Sequence, residues 1–133
     1  MSKRIFFLLL VSIFVLSFAA CGQAGDPTVT LTDKDAGSTV ELKVGQLLVI
    51  DLPGNVTTGY NWEAVTGYEN ILEQQGEPQV TPESSAIGAP GIISLTFKAI
   101  ASGETTLQLI YHRSFEPDVA PLETFEVTVQ VKG

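Results

Sequence analysis

Cysteine and histidine are nearly absent from this chain of 133 residues, which contains one of each. A single cysteine, Cys21, forms no disulfide within the chain, so burial and hydrogen bonding must hold the fold. A single histidine, His112, leaves no His-Cys-Asp-Glu cluster with metal-ligand spacing and no catalytic triad. We therefore expect no enzyme, no cofactor and no metal site, and we interpret His112 as a solvated strand residue.

Basic residues are also scarce, with seven Lys and Arg against 15 Asp and Glu. Lys3 and Arg4 precede an apolar run over residues 5–18, which is shorter than the roughly 20 residues that a membrane span needs. Residues 1–20 are therefore predicted to be a signal peptide. Without Lys3 and Arg4, five basic residues remain against 15 acidic ones, a net charge of −10. Such a surface repels nucleic acid, so no nucleic-acid partner is expected.

The segment after the apolar run, Phe18-Ala19-Ala20-Cys21, resembles a bacterial lipobox, although Phe18 stands where Leu would be expected. The resemblance implies a lipidated Cys21 as the new N-terminus and residues 21–27 as a lipidated tether. It places the protein in the bacterial cell envelope, lipid-anchored to a membrane after export. The alternative is an ordinary secretory cleavage site that leaves one free thiol. Export follows from either interpretation.

Residues 28–133 are long enough for one domain with its own core. Apolar and polar side chains alternate in several short stretches, namely residues 40–44, 60–64, 93–99, 107–112 and 124–131. Residues 46–52 are almost continuously apolar, and a weaker strand starts at Ile71. No sustained helical stripe follows the signal peptide. We predict an all-β fold, an immunoglobulin-like antiparallel β-sandwich of about seven strands, with a small closed barrel as the alternative.

Three long connections are predicted to lie together. With strands lettered A (residues 28–44, in two pieces) to G (123–132), alternating strand directions bring the B-C, D-E and F-G loops to one end. These loops are residues 53–59, 75–91 and 114–122. The connections at the other end are expected to be short turns. Because long loops in compact domains tend to be functional, we expect the binding surface at the end with the long loops.

Each long loop carries or adjoins a short motif: Asn55-Val56-Thr57-Thr58-Gly59-Tyr60, Gly88-Ala89-Pro90-Gly91, and Tyr111-His112-Arg113-Ser114-Phe115. In order and spacing they resemble the Asn-Pro-Thr-Thr-Gly-aromatic loop, the Gly-rich loop and the Arg-Pro-Trp segment of the chagasin family of cysteine-protease inhibitors. The resemblance covers roughly residues 28–132. Any one of these motifs is a weak signal, but three in the correct order are fairly specific.

The resemblance implies a reversible inhibitor of papain-like cysteine peptidases. The first loop would enter the active-site cleft while the other two grip its flanks. Thr57 and Thr58 would supply hydroxyls, and Gly59 would give clearance and a positive φ that turns the chain back out of the cleft. A monomer is expected. The implied protease-binding residues are Asn55, Thr57, Thr58, Gly59, Tyr60, Gly88, Gly91, Arg113 and Phe115.

Three positions depart from the family pattern. Val56 and Ser114 stand where the family has proline, which predicts loops that are less restricted before binding. Phe115 replaces the family tryptophan, so it keeps a flat apolar face but loses area and an N–H donor. The departures predict weaker or differently selective inhibition.

Several residues also have structural interpretations. Trp62 is predicted to fill the core, Tyr60 suits either role, and Gly88 and Gly91 act through their backbone or shape a hinge. Arg113 either contacts the peptidase or forms an ion pair with Glu116 or Asp118. For the whole chain, the alternative is a surface-anchored immunoglobulin-like binding or adhesion module with no protease target.

Overall fold

Two β-sheets packed face to face make up residues 27–133, the part of the chain that the computed structural model describes. The predicted signal peptide, Cys21 and most of the predicted tether lie outside the described residues. In chain order the strands are β1 (Val29–Thr32), β2 (Thr39–Lys43), β3 (Leu47–Gly54), β4 (Asn61–Ala64), β5 (Leu72–Gln74), β6 (Gln79–Pro82), β7 (Gly91–Ala99), β8 (Gly103–His112) and β9 (Glu123–Lys132).

The first sheet has the order β1-β3-β7-β5. Strand β6 also pairs with β7, along the same edge as β5 but at the other end of β7. The second sheet has the order β2-β9-β8-β4. Alternate side chains of the long strands point between the sheets, as strand geometry requires. The fully buried side chains include Leu48, Ile50, Leu52, Ile93, Leu95, Phe97, Leu107, Leu109, Val127 and Val129. Among the described residues, no helix has the length and apolar character of a membrane span.

The all-β sandwich is confirmed, but the structure has nine strands where about seven were expected. One extra strand arises because predicted strand A contributes to both sheets. Its first piece, β1, runs parallel to β3, and its second piece, β2, runs parallel to β9. A 3₁₀ turn, Asp33–Asp35, carries the chain across, and the side chains of Thr32 and Asp35 cap it reciprocally. The two parallel pairs correct the expectation of a purely antiparallel sandwich.

The other extra strand, β6, lies inside the predicted D-E loop and shortens it to residues 83–90. Pro82 of β6 pairs with Gly91 of β7. A Cβ atom at position 91 would clash with the carbonyl oxygen of Thr81 and would lie 2.9 Å from the Cα atom of Pro82. The two backbones approach this closely because position 91 carries no side chain.

At one end of the sandwich, which we call the far end, residues 44–46, 65–71 and 100–102 connect the strands. The described chain also enters here. The Gln46 side chain, which is only 8% exposed, donates a hydrogen bond to the carbonyl oxygen of Pro27 at 2.6 Å and accepts one from the Lys43 amide at 3.0 Å. Two residues later the first strand pair begins, with Val29 opposite Leu48. The N-terminal side of the domain is therefore fixed to the far end.

Candidate functional site

The opposite end, which we call the loop end, consists of residues 55–59, 83–90 and 113–122. Strand register brings these segments together, because Gly54 pairs with Gly91, Asn61 with His112, and Tyr111 with Glu123. The predicted clustering of the three long loops is therefore confirmed.

The 55–59 loop is a single 3₁₀ turn, Val56–Thr58, with Asn55 as its N-cap. The Asn55 side-chain oxygen accepts hydrogen bonds from the Thr57 amide, at 3.1 Å, and from the Thr57 hydroxyl. The Thr58 hydroxyl donates to the Asn55 carbonyl oxygen at 2.6 Å. Gly59 ends the turn at φ +84°, the left-handed conformation expected there. Both threonine hydroxyls therefore donate inward, although both residues are exposed.

Asn55 also joins this turn to the rest of the loop end. Its backbone N–H donates to the hydroxyl oxygen of Tyr111 in β8 at 2.8 Å. Its side-chain Nδ2 donates to the carbonyl oxygen of Gly88 at 2.9 Å, which ties the turn to the 83–90 loop. The Gly88 backbone therefore has a structural partner within the free protein, and its contact with a peptidase stays a prediction. Through its backbone and its side chain, this one half-buried residue thus connects two loops and a core strand.

Arg113 makes the matching connection to the third loop. Its Nε donates to the Thr58 carbonyl oxygen at 3.0 Å, and its Nη1 lies 3.4 Å from Glu116 Oε1. The guanidinium carbon lies 4.5 Å from the centre of the Tyr60 ring, a cation–π arrangement. Of the two expected ion-pair partners, Glu116 is therefore the one in contact. About a third of the side chain, 34%, stays exposed.

A stack of aromatic rings supports the turn from below. The Trp62 and Tyr111 ring centres are 5.1 Å apart, and those of Tyr111 and Tyr60 are 5.3 Å apart. Trp62 is buried, as predicted, and its Nε1 donates to the Pro53 carbonyl oxygen at 3.0 Å, from one sheet to the other. Tyr60 packs at the edge of the core and beneath Arg113, so its ring serves as support in the free protein.

Four large apolar side chains are exposed on the loops that flank the turn, namely Ile87, Phe115, Val119 and Leu122. Phe115 is 69% exposed, and its ring lies against Gly59, where a Cβ atom would be 3.1 Å from Phe115 Cε1. Ile87 is fully exposed in the 83–90 loop, next to Gly88, which has φ +77°. Gly91 lies at the base of this loop and is buried against β6. Exposed apolar groups on each side of a polar turn form a surface suited to contact with another protein.

Sequence reasoning missed two of these residues. Ile87 had a usable signal, since it is an apolar residue within a small and polar loop. Tyr111 had none, because its place in the β8 alternation predicts only a core residue. Its ring is indeed buried, but its hydroxyl reaches the loop end.

The titratable side chains of the described residues lie apart from one another or in simple pairs. Within residues 27–133, no three His, Cys, Asp or Glu side chains are arranged to hold a metal ion. His112, predicted to be solvated, is partly exposed and lies 2.7 Å from Glu63 Oε2. Two groups at the far end have shifted pKa values. Burial raises the pKa of the Tyr68 hydroxyl, and a hydrogen bond from the Gly67 amide lowers the pKa of the Glu69 carboxyl. The loop end offers shape, hydrogen-bond acceptors and apolar contact.

Comparison with known proteins agrees with this geometry. Amoebiasin-1 of Entamoeba histolytica is 30% identical over 106 residues, covering 78% of this chain and 100% of that protein. Chagasin of Trypanosoma cruzi is 30% identical over 104 residues, covering 73% and 92%. The crystal structure of a cysteine protease inhibitor from E. histolytica superposes with a TM-score of 0.70 at 26% identity, covering 79% of this chain and 96% of that one. The solution structure of Amebosin gives a TM-score of 0.61 at 27% identity, covering 80% and 100%.

Fold and site together define a β-sandwich protein whose three long loops are joined by hydrogen bonds into one surface. The model of the chagasin family of peptidase inhibitors matches residues 41–129, well over half of the chain. The chain therefore belongs to the chagasin family of peptidase inhibitors, and the prediction that it is an inhibitor and not an enzyme is confirmed.

The Tyr111 hydroxyl provides a direct test of how the turn is held. We expect Tyr111→Phe to keep the aromatic stack and release the Asn55 amide. Amide hydrogen exchange at Asn55 should then rise about tenfold, with a loss of about 0.5–1.5 kcal/mol in the free energy of unfolding. Tyr68→Phe, at the far end, is the matched control and should leave Asn55 exchange unchanged. Equal exchange at Asn55 in Tyr111→Phe and the unmodified protein would show that the turn holds its shape without this bond.

Proposed function

We propose that this protein reversibly inhibits papain-like cysteine peptidases by covering the active-site cleft with its loop end. The proposal rests on one observation: the Thr57 and Thr58 hydroxyls both donate their hydrogens to oxygen atoms of Asn55, within the turn. A hydroxyl that donates inward still has acceptor lone pairs to offer to a partner. The exposed turn therefore presents a compact group of acceptors to whatever it meets.

The active site of a papain-like enzyme is complementary to such a group. It contains a thiolate paired with a protonated histidine, together with backbone donors that bind the oxyanion of the reaction. Those donors can bond to the threonine oxygens and to the exposed backbone of the turn. Because internal hydrogen bonds already fix the turn, little conformational entropy is lost on binding. Rigid loops at this position favour the inhibitor over the alternative of an adhesion module.

The flanking loops supply apolar contacts in this proposal. Ile87 and Phe115 stand on the two loops beside the turn, where they reach the rims of the cleft, and exposed apolar groups of this kind are typical interface anchors. Asn55 and Arg113 hold the three loops in register while leaving part of their surface to the partner. Gly91 supports the 83–90 loop from beneath. Three loops suit an interface of about 800 Å² per partner.

Titration of residues 22–133 against papain tests the proposal. Hydrolysis of a small fluorogenic peptide should fall in proportion to added protein and reach zero at one equivalent, and it should recover on dilution because no covalent bond forms. Bovine serum albumin at the same concentration serves as the protein control. Full activity of papain and of several related peptidases at micromolar inhibitor would contradict the proposal and favour the adhesion module.

A matched pair of variants tests the role of the hydroxyls. Thr57→Val with Thr58→Val keeps side-chain shape but removes both oxygens, whereas Thr57→Ser with Thr58→Ser keeps them. Hydrogen bonds to charged groups contribute about 1.5–3 kcal/mol each, so we expect the valine pair to raise the inhibition constant at least about 100-fold. The serine pair should stay within about fivefold of the unmodified protein. Equal potency of the two pairs would assign recognition to the backbone instead.

We propose further that the protein is exported and anchored to a bacterial membrane by a lipid on Cys21. Support comes from the sequence alone: the basic start, the apolar run over residues 5–18 and the lipobox-like ending in Cys21. The domain that follows can act while anchored, because it has its own core and all of its described strands lie beyond residue 28.

Cys21→Ser tests the anchor. In a bacterial host, the unmodified chain should sediment with membranes and gain the mass of a diacylglyceryl group, whereas Cys21→Ser should not. Gly22→Ala is the neighbouring control and should leave both properties unchanged. A membrane-bound Cys21→Ser protein without added mass would show that the apolar run itself is retained as the anchor.

A further inference from the structure

We infer that a cleft beside the loop end binds a basic side chain, lysine or arginine, of the peptidase that the protein inhibits. This side cleft has a volume of about 260 Å³. It is lined by the acidic residues Asp33 and Glu123 and by the buried apolar residues Leu52, Trp62 and Phe125. The inference rests on the proposed function and adds a chemical property of the partner.

The side cleft forms because predicted strand A crosses from one sheet to the other. In the first sheet, β1 ends opposite Asp51, so residues 52–54 of β3 extend beyond it. In the second sheet, β2 pairs with β9 only from Thr128 onward, so the first part of β9 lacks this neighbour. Both sheets therefore lack an edge strand next to the loop end. The crossover, residues 33–38, covers the gap in part, and its Asp33 lines the side cleft.

The surroundings of the side cleft are negatively charged. The crossover and the start of β9 contain four carboxylates and one ammonium group, namely Asp33, Asp35, Glu123, Glu126 and Lys34. Among residues 27–133, no Lys, Arg or His side chain forms an ion pair with Asp33 or Glu123. A cation in the side cleft therefore gains an electrostatic attraction that no internal partner already uses.

A lysine or arginine side chain suits this combination of groups. These side chains bury an apolar stem and keep the charged end at the surface. In the side cleft, the apolar lining would receive the stem, and the exposed residues Asp33 and Glu123 would receive the charged end. The volume is below the about 300–1,000 Å³ that small-molecule sites usually have, which favours a single side chain over a larger ligand.

The side cleft borders the loop end directly. Glu123 follows Leu122, the exposed last residue of the 113–122 loop. On the other sheet, Pro53 also lines the side cleft and stands two residues before Asn55. A peptidase that covers the loop end therefore brings the rim of its active site to the side cleft. Because complementary charge contributes to specificity, a basic residue at that rim would favour its peptidase over others.

The only tryptophan of the chain provides a direct readout, because its indole N–H has a single resonance. Residues 22–133 are titrated with Nα-acetyl-arginine methylamide, and we expect the Trp62 indole resonance to shift as the compound binds. The citrulline analogue has a closely similar shape without the charge and should leave the resonance in place. Equal effects of the two compounds, or no shift with either, would overturn the inference.

Variants that remove charge extend the test to the complex with papain. Asp33→Asn with Glu123→Gln should abolish the Trp62 shift and raise the inhibition constant against papain at least about tenfold. Glu73→Gln with Glu104→Gln is the matched control, since it removes two exposed carboxylates away from the side cleft. This pair should keep the inhibition constant within about twofold of that of the unmodified protein.

Inhibition constants that are equal for the two pairs of variants would also overturn the inference, because net charge alone would then explain the result. If the unmodified protein does not inhibit papain, the proposed function fails. The titration with the arginine compound still decides in that case whether the side cleft binds a basic side chain.

Discussion

The loop end depends on one asparagine. The side-chain oxygen of Asn55 caps its own turn by accepting from Thr57. The Asn55 backbone N–H donates to the Tyr111 hydroxyl oxygen, and its side-chain N–H donates to the Gly88 carbonyl oxygen. A half-buried amide side chain has donors on one atom and an acceptor on the other, so it can join two loops at once. Arg113 likewise joins two loops, because its side chain donates to the Thr58 carbonyl oxygen. Three separate connections of a β-sandwich thereby become one surface.

This network changes how the departures from the family pattern should be understood. The absence of proline at Val56 and Ser114 predicts looser loops, since proline restricts φ before binding. In the loop that contains Val56, side-chain hydrogen bonds and the 3₁₀ turn supply restriction instead. The replacement of tryptophan by Phe115 remains a loss of area and of a donor. Selectivity at the rim is therefore where we expect this protein to differ most from its relatives.

The sequence predicted the sandwich, the clustering of the loops and the burial of Trp62, because these follow from period-two alternation and strand direction. It did not predict the parallel pairing of β1, since alternation specifies which face is buried but not which strand is the neighbour. Strand β6 was not predicted for a related reason. It is exposed throughout, so its sequence has no alternating apolar face. The contact of the Tyr111 hydroxyl with the loop end was not predicted either. The alternation of β8 indicates only that the Tyr111 side chain is buried, and it does not show that the hydroxyl reaches the edge of the core.

The parallel pairing of β1 with β3 also has a mechanical consequence. Suppose that the N-terminal side of the domain is tethered and a bound partner is pulled from the opposite end. The force then runs along the strands, and the backbone hydrogen bonds between β1 and β3 lie across it. Under this shear load, all of these hydrogen bonds resist together. If β1 were instead peeled away from one end, the bonds would break one after another. The sandwich can therefore hold a captured partner under tension.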